Sequence, residues 1–279
     1  MKTIKCRLVI NDENFDLFCD PGDCRCGTIA RNYAQVPYGS IPSIPPGSDI
    51  EEIDLEEWPD LIADQDRSES SLYHIWKDSK IGILNQSSIS YCHAFADVFH
   101  SMLVREMQQL EYVELSASSI GGPVTGWKNA GAYIHDDLQQ SFEFGACSTE
   151  FCPMLTTNLR DCKPGWKENA LLHRTSEYID VPARDFKKHG SLLLRNKPVN
   201  VGLNYWGHAV ADLKVIDLYP QRKATDWLRY GFMFANSWST QWGDEGFGVR
   251  HGNKALADAI YTRLQVKLIK STLQAALAT

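Results

Sequence analysis

The clearest periodic signal in the chain lies at residues 92–110, where Phe95, Val98, Phe99, Met102, Leu103 and Leu110 recur at i, i+3, i+4, i+7 and i+8. That spacing places them on one face of an α-helix, and Ser90, just ahead, is positioned to cap it. Two weaker helical patterns follow, one near 127–134 and one at about 183–196, the second ended by Pro198. Beyond Pro198 the period changes. Residues 199–203, 208–218, 230–236 and 246–250 read as β-runs separated by turn residues. A helical first half followed by a β-rich second half predicts an α+β chain of two lobes of different class packed together. Ahead of all this, residues 36–50 are rich in Pro, Gly and Ser and read as an extended strap. The acidic stretch 51–66 reads as a solvated face, anchored to the body by Trp58 and Trp76.

Composition narrows the class without naming an activity. The chain has 279 residues, 43% hydrophobic and 23% charged, enough for a sizeable core. A net charge of −7 with no basic stripe excludes an electrostatic pull toward nucleic acid or anionic membranes. No run approaches the roughly 18 apolar residues of a membrane span. The start of the chain, Met-Lys-Thr-Ile-Lys-Cys-Arg, does not read as a secretory signal, so an intracellular, cytoplasmic protein is expected. In that setting the eight cysteines are expected as thiols. Cys19, Cys24 and Cys26 cluster in a loop, but Cys-Arg-Cys is not a common zinc spacing and no His is near in sequence.

The candidate chemistry sits at Cys92 and in two later segments. A thiol attacks a carbonyl as its thiolate, and a helix N-terminus or a neighbouring imidazolium favours that form. Cys92 begins the predicted helix. His208, in Gly-His-Ala-Val at 207–210, is the candidate acid/base partner, and Asn236, in Asn-Ser-Trp at 236–238, can orient the imidazole through its other nitrogen. Trp238 is close enough to shield that bond from water. Gln86 and the Cys92 backbone N–H are candidate donors to an oxyanion. Acyl transfer by a thiol calls for neither metal nor organic cofactor, so none is expected, and the expected partner is a protein or peptide substrate.

These motifs resemble the papain-like cysteine peptidases. Asn85-Gln86-Ser-Ser-Ile-Ser-Tyr-Cys92-His-Ala-Phe95 is similar to their nucleophile signature, and Asn236-Ser-Trp-Ser-Thr-Gln-Trp242-Gly to their asparagine segment. The interval from Cys92 to His208 is a little shorter than the roughly 130–150 residues usual there. The resemblance implies an α+β two-lobe fold with the cleft between a helical lobe, about 81–180, and a β-rich, barrel-like lobe, about 181–279, on which 51–80 packs. Residues 1–50 would be an extension and strap ahead of the 51–279 peptidase domain. It further implies that Gly121 and Gly122 form the strip that binds the substrate backbone, with Trp206 and Trp242 lining the cleft. Tyr205 and Trp206 would give a shallow, apolar pocket for the residue preceding the scissile one.

The departures are local. Ile89 stands where the family has a bridge cysteine, Ser119 where its partner would be, and His93, Ser90 and Ser239 replace a Trp and two Gly residues. The missing bridge and the short stretch before the domain point to a bacterial or viral source rather than a lysosomal one. A lone Cys on an apolar helix face would ordinarily be an inert core thiol, and the Gly pair an ordinary turn. Of the other histidines, His93, His100 and His135 read as structural or surface residues, with His93 close enough to the nucleophile to alter its titration. Two alternatives remain. One is another thiol acyl-transfer enzyme on the same site, such as an aminopeptidase, amidase or isopeptidase. The other is a non-catalytic binding or structural protein that keeps the fold.

Overall fold

The computed structural model describes residues 8–18, 26–30 and 51–266. The predicted strap at 36–50, Cys19 and Cys24 lie outside them. The chain begins with β1 (Val9–Ile10) and a single helical turn, α1 (Phe15–Phe18), and resumes with α2 (Trp58–Arg67) and α3 (Leu72–Asp78). The stretch read as a solvated acidic face is therefore largely helical. Pro59 stands in its first turn, Asp60 near its positive end and Arg67 near its negative end, each suited to its place. Trp58 is fully buried, stacked on Phe186 at 5.7 Å and tilted onto Tyr230 at 5.0 Å. Trp76 meets Phe247 edge-on at 4.6 Å.

The long helix is α4 (Cys92–Met107). Its predicted stripe of Phe95, Val98, Phe99, Met102 and Leu103 is buried, each such side chain contributing roughly 1.5–3 kcal/mol. Leu110 falls beyond the helix end. Two expectations need correction. The N-cap residue is Tyr91, and no side chain caps the helix. The polar face is buried as well, because the helix lies against the sheet on one side and other helices elsewhere. There Asp97 receives Ser141 at 2.7 Å and Tyr261 at 2.5 Å and pairs with Arg263. A buried carboxylate with that many donors is satisfied rather than stranded.

Next come α5 (Ser118–Thr125), α6 (Ile134–Glu143) and α7 (Trp166–Leu171). The helix expected at 127–134 is absent: that stretch is the connection between α5 and α6, entered through Gly126 and Trp127, both in the left-handed region (φ 63° and 62°). After β2 (Thr175–Val181), α8 (Phe186–Leu194) matches the third predicted helix. Asp185 caps it by accepting from the Lys188 N–H, and Asn196, at φ 54°, ends it two residues before Pro198.

The β-rich half follows its sequence pattern: β3 (Val199–Leu203), β4 (His208–Asp217), β5 (Tyr230–Ala235) and β6 (Phe247–His251), with β7 (Ala259–Val266) added. Together with β1 and β2 they form one sheet in the order β1-β6-β5-β4-β3-β7-β2, antiparallel except for β1 on β6. Register places the start of β4 beside the end of β5, since Ala211 pairs with Ala235. His208 opens the first strand and Asn236 follows the second. Among the described residues no helix is long and apolar enough to cross a membrane.

Candidate active site

Cys92 is the first residue of α4, so its backbone N–H has no acceptor one turn back and the positive end of the helix faces its sulfur. The stretch before it is held to the sheet side. The Gln86 N–H donates to the Ser237 carbonyl at 2.8 Å, the Ser239 N–H to the Leu84 carbonyl at 3.1 Å, and Asn85 bridges Trp238. Gln86 is fully buried: the Ser237 hydroxyl donates to its Oε1 at 2.5 Å, and its Nε2 donates to the Ile89 carbonyl at 2.8 Å. Ser239, in place of the family's Gly, sits at φ 68°, which shows why a residue without a Cβ would be easier there.

His208 is fully buried, its Nε2 2.8 Å from Asn236 Oδ1. Its Nδ1 has no hydrogen-bond partner among the described residues. The rings of Trp206 and Trp238 lie 4.7 and 4.9 Å from the imidazole and keep water from the His–Asn bond. Burial pulls His208 down to about 4, only partly offset by Asn236, so the ring is neutral at pH 7 in this conformation. Behind the nucleophile, His93 is fully buried with its Nδ1 2.8 Å from Asp137. Burial pushes its pKa down, but Asp137 outweighs that and leaves it above the ordinary value. The bulky Trp of related sequences is thus replaced by an ion-pairing residue.

One feature of the site was not legible in the sequence. The extended segment 26–30 lies across Cys92. The Gly27 N–H donates to the Cys92 sulfur at 3.2 Å, and the Thr28 hydroxyl is 3.4 Å from it. The segment is hydrogen-bonded to both walls. The Thr28 N–H donates to the Gly207 carbonyl at 2.9 Å, the Ala132 N–H to the Gly27 carbonyl at 2.8 Å, and the Ile29 N–H to the Ala132 carbonyl at 3.0 Å. Only glycine fits at 27, where a Cβ would come within 1.8 Å of the Ser90 carbonyl oxygen. A Cβ on Gly202 would lie 3.4 Å from the Thr28 methyl, 3.4 Å from Ala259 and 3.6 Å from Ile134, so the Thr28 side chain sits in a small apolar recess.

The residues expected to bind substrate are placed differently. Gly121 and Gly122 are buried inside α5, against the rings of Tyr91 and Trp127. The backbone that pairs with an extended chain is instead Gly131-Ala132. Its loop is tied to the nucleophile stretch through Asn129, which accepts from the Ser90 N–H at 2.7 Å and donates to the Ser88 carbonyl at 3.2 Å. Gly131 in a run of small residues was the available signal; the Gly pair was the louder one. The Ser119 hydroxyl donates to the Ser116 carbonyl at 2.7 Å and accepts from the Cys147 N–H at 3.0 Å. Trp206 packs on His208, while half-buried Trp242 lines a surface cavity with Leu8, Leu17 and Phe18. Tyr205 packs on Phe15 at 5.1 Å and donates to the Lys254 carbonyl at 2.7 Å. The apolar recess is made by other residues than the pair expected. Among the described residues no cluster of His, Cys, Asp and Glu could hold a metal.

The fold is that of the papain-like cysteine proteases. Xylellain, a cysteine protease from Xylella fastidiosa, superposes with a TM-score of 0.54 at 17% identity, over 87% of this chain and all (100%) of that one. The digestive procathepsin L 3 of the Tenebrio molitor larval midgut gives 0.55 at 14% identity over 68% of each chain. A structure addressing antibody cross-reactivity between the mite allergens Blo t 1 and Der p 1 gives 0.58 at 14% identity, over 86% of this chain and 80% of that one. The chain matches no protein-family profile and no curated protein by sequence.

Proposed function

We propose that the chain is a cysteine peptidase that hydrolyses peptide bonds through a thioester acyl-enzyme, and that the conformation described is its covered form. The observation that carries this reading is His208, held by Asn236 through Nε2 with Nδ1 unpartnered among the described residues, beside a cleft where an extended main chain lies on the Cys92 sulfur. Cys92 attacks the scissile carbonyl carbon. The Cys92 N–H and Gln86 face the oxyanion that forms, and His208 protonates the departing amine. His208 then takes a proton from the water that attacks the thioester, releasing the acid and restoring the thiol.

The covering segment supports the reading twice over. Its backbone bonds to Gly207 and Ala132 are those an extended substrate would make, and its Thr28 methyl marks a recess suited to a small apolar side chain. It offers an N–H rather than a carbonyl carbon to the sulfur, so in this register it blocks instead of reacting. Removal of the segment frees the Cys92 sulfur of its Gly27 and Thr28 contacts and lets the thiolate–imidazolium pair form.

The test is labelling of the full chain with an epoxysuccinyl thiol-protease inhibitor between pH 5 and 8, with Gly27→Val to displace the segment and Cys92→Ala as control. Stoichiometric modification at Cys92 is expected in the displaced form. Folded protein that takes up no label at Cys92 in either form would end the proposal.

A further inference from the structure

A second thiol cluster lies at the far side of α5, apart from the cleft. The Cys162 thiol donates to the Cys152 sulfur at 2.6 Å, and both are free cysteines. Cys147 is hydrogen-bonded to Cys152 from its other side. Cys147 and Cys152 are fully buried and Cys162 is half-buried. The backbone already closes the loop between them, since the Lys163 N–H donates to the Phe151 carbonyl at 2.7 Å.

We propose that Cys152 and Cys162 are an oxidisable pair that closes a disulfide across residues 152–162, with Cys147 as a third thiol held in reserve. The oxidant is a peroxide. Cys162, the least buried residue of the cluster, attacks a peroxide oxygen through the thiolate fraction that burial holds low; hydroxide leaves and Cys162 becomes a sulfenic acid. The Cys152 sulfur then displaces the sulfenic hydroxyl, the S–S bond forms, and that oxygen leaves as water. In sum two thiols are oxidised to one disulfide, and one hydrogen peroxide, taking up the two thiol protons, is reduced to two waters.

The consequence reaches the cleft through packing. Trp127 and Trp166 sit on the cluster and meet edge to face at 5.9 Å. Trp127 opens the stretch that carries Asn129 and Gly131-Ala132. The 152–162 loop is further pinned to α5, where the Ser118 hydroxyl donates to the Met154 carbonyl at 2.8 Å and accepts from the Thr156 N–H at 3.0 Å. A bridge here staples the outer support of the substrate-facing loop. It does not depend on the chain being a peptidase.

The experiment uses the full chain in a Cys92→Ala background, so that the cleft thiol does not consume oxidant. After hydrogen peroxide and then alkylation of residual thiols, non-reducing peptide mapping is expected to show a Cys152–Cys162 cross-link, with the melting temperature raised by about 5–10 °C over the reduced protein. Cys162→Ser should lose both, and Cys147→Ser should keep both. Folded protein whose Cys152 and Cys162 remain alkylatable after peroxide, or are linked only to Cys147, would overturn the proposal.

Discussion

The two walls of the cleft are held by different means. On one wall His208 belongs to the sheet: it opens β4, bonds to the residue that follows β5, and is enclosed by Trp206 and Trp238. On the other, the short extended segment 26–30 lies on the Cys92 sulfur, makes main-chain bonds and inserts one threonine methyl. The first arrangement cannot come apart without disrupting the sheet. The second is held by a few main-chain bonds and is expected to lift off at less cost. The site thus couples a rigid base to a removable cover, and each half should fail in its own way.

Acid should strain the buried histidines most, His208 at the sheet and His173 beside Arg105 of α4. His208 and His173 are both lowered to about 4, burial being the main cause in each, with Arg105 adding to the shift at His173. The unfolded chain binds these protons below about 6.5 and the folded one only below about 4. Stability from the two groups is therefore complete above pH 6.5 and is lost as pH falls through that window, by at most about 3 kcal/mol each. Asp137, pushed up to about 6 by burial against the pull of His93, acts in the opposite sense. The net expectation is a urea midpoint clearly lower at pH 4.5 than at pH 7. Equal midpoints would mean that these histidines are not the buried, neutral groups described.

Asn236→Ala probes the same wall at one atom. Loss of the Oδ1 contact leaves His208 Nε2 without its partner, and peptidase activity should fall about 10²-fold with a shifted pH profile. Inhibitor labelling at Cys92 should slow without vanishing. A variant as active as the parent would remove Asn236 from the mechanism.

Gly27→Val probes the cover. Its Cβ would strike the Ser90 carbonyl, and expelling the segment forfeits main-chain bonds worth about 1 kcal/mol each net. Alkylation of Cys92 by iodoacetamide should accelerate roughly tenfold or more, with the melting temperature lowered by several degrees. An unchanged alkylation rate in folded protein would show that the segment does not guard the sulfur.

Much of this could be read in advance, for identifiable reasons. The stripe of α4 announced itself because it repeats with the helix, and the strands after Pro198 because their apolar runs are short and bounded by turns. Cys92, His208 and Asn236 were singled out by local signatures, and the fold brings His208 and Asn236 to within 2.8 Å. The acidic run at 51–66 misled because its charges line the solvent side of α2 while Trp58 and Ile62 face inward. Gly121-Gly122 misled because a pair of glycines signals close approach without saying to what. Here the close neighbours are the rings of Tyr91 and Trp127, and Gly131-Ala132 meets the extended chain.

By itself the sequence determined the long helix α4, helix α8, the strands that follow Pro198 and the residue types that thiol chemistry needs, because helical period, turn residues and a cysteine at a helix start are properties of neighbours in the chain. Tertiary structure decided which wall each group occupies, the burial that keeps His208 neutral, the return of residues 26–30 across Cys92, and the meeting of Cys147, Cys152 and Cys162. Those facts rest on contacts between segments far apart in sequence, or on the shape of a loop, and only the packed fold brings them together.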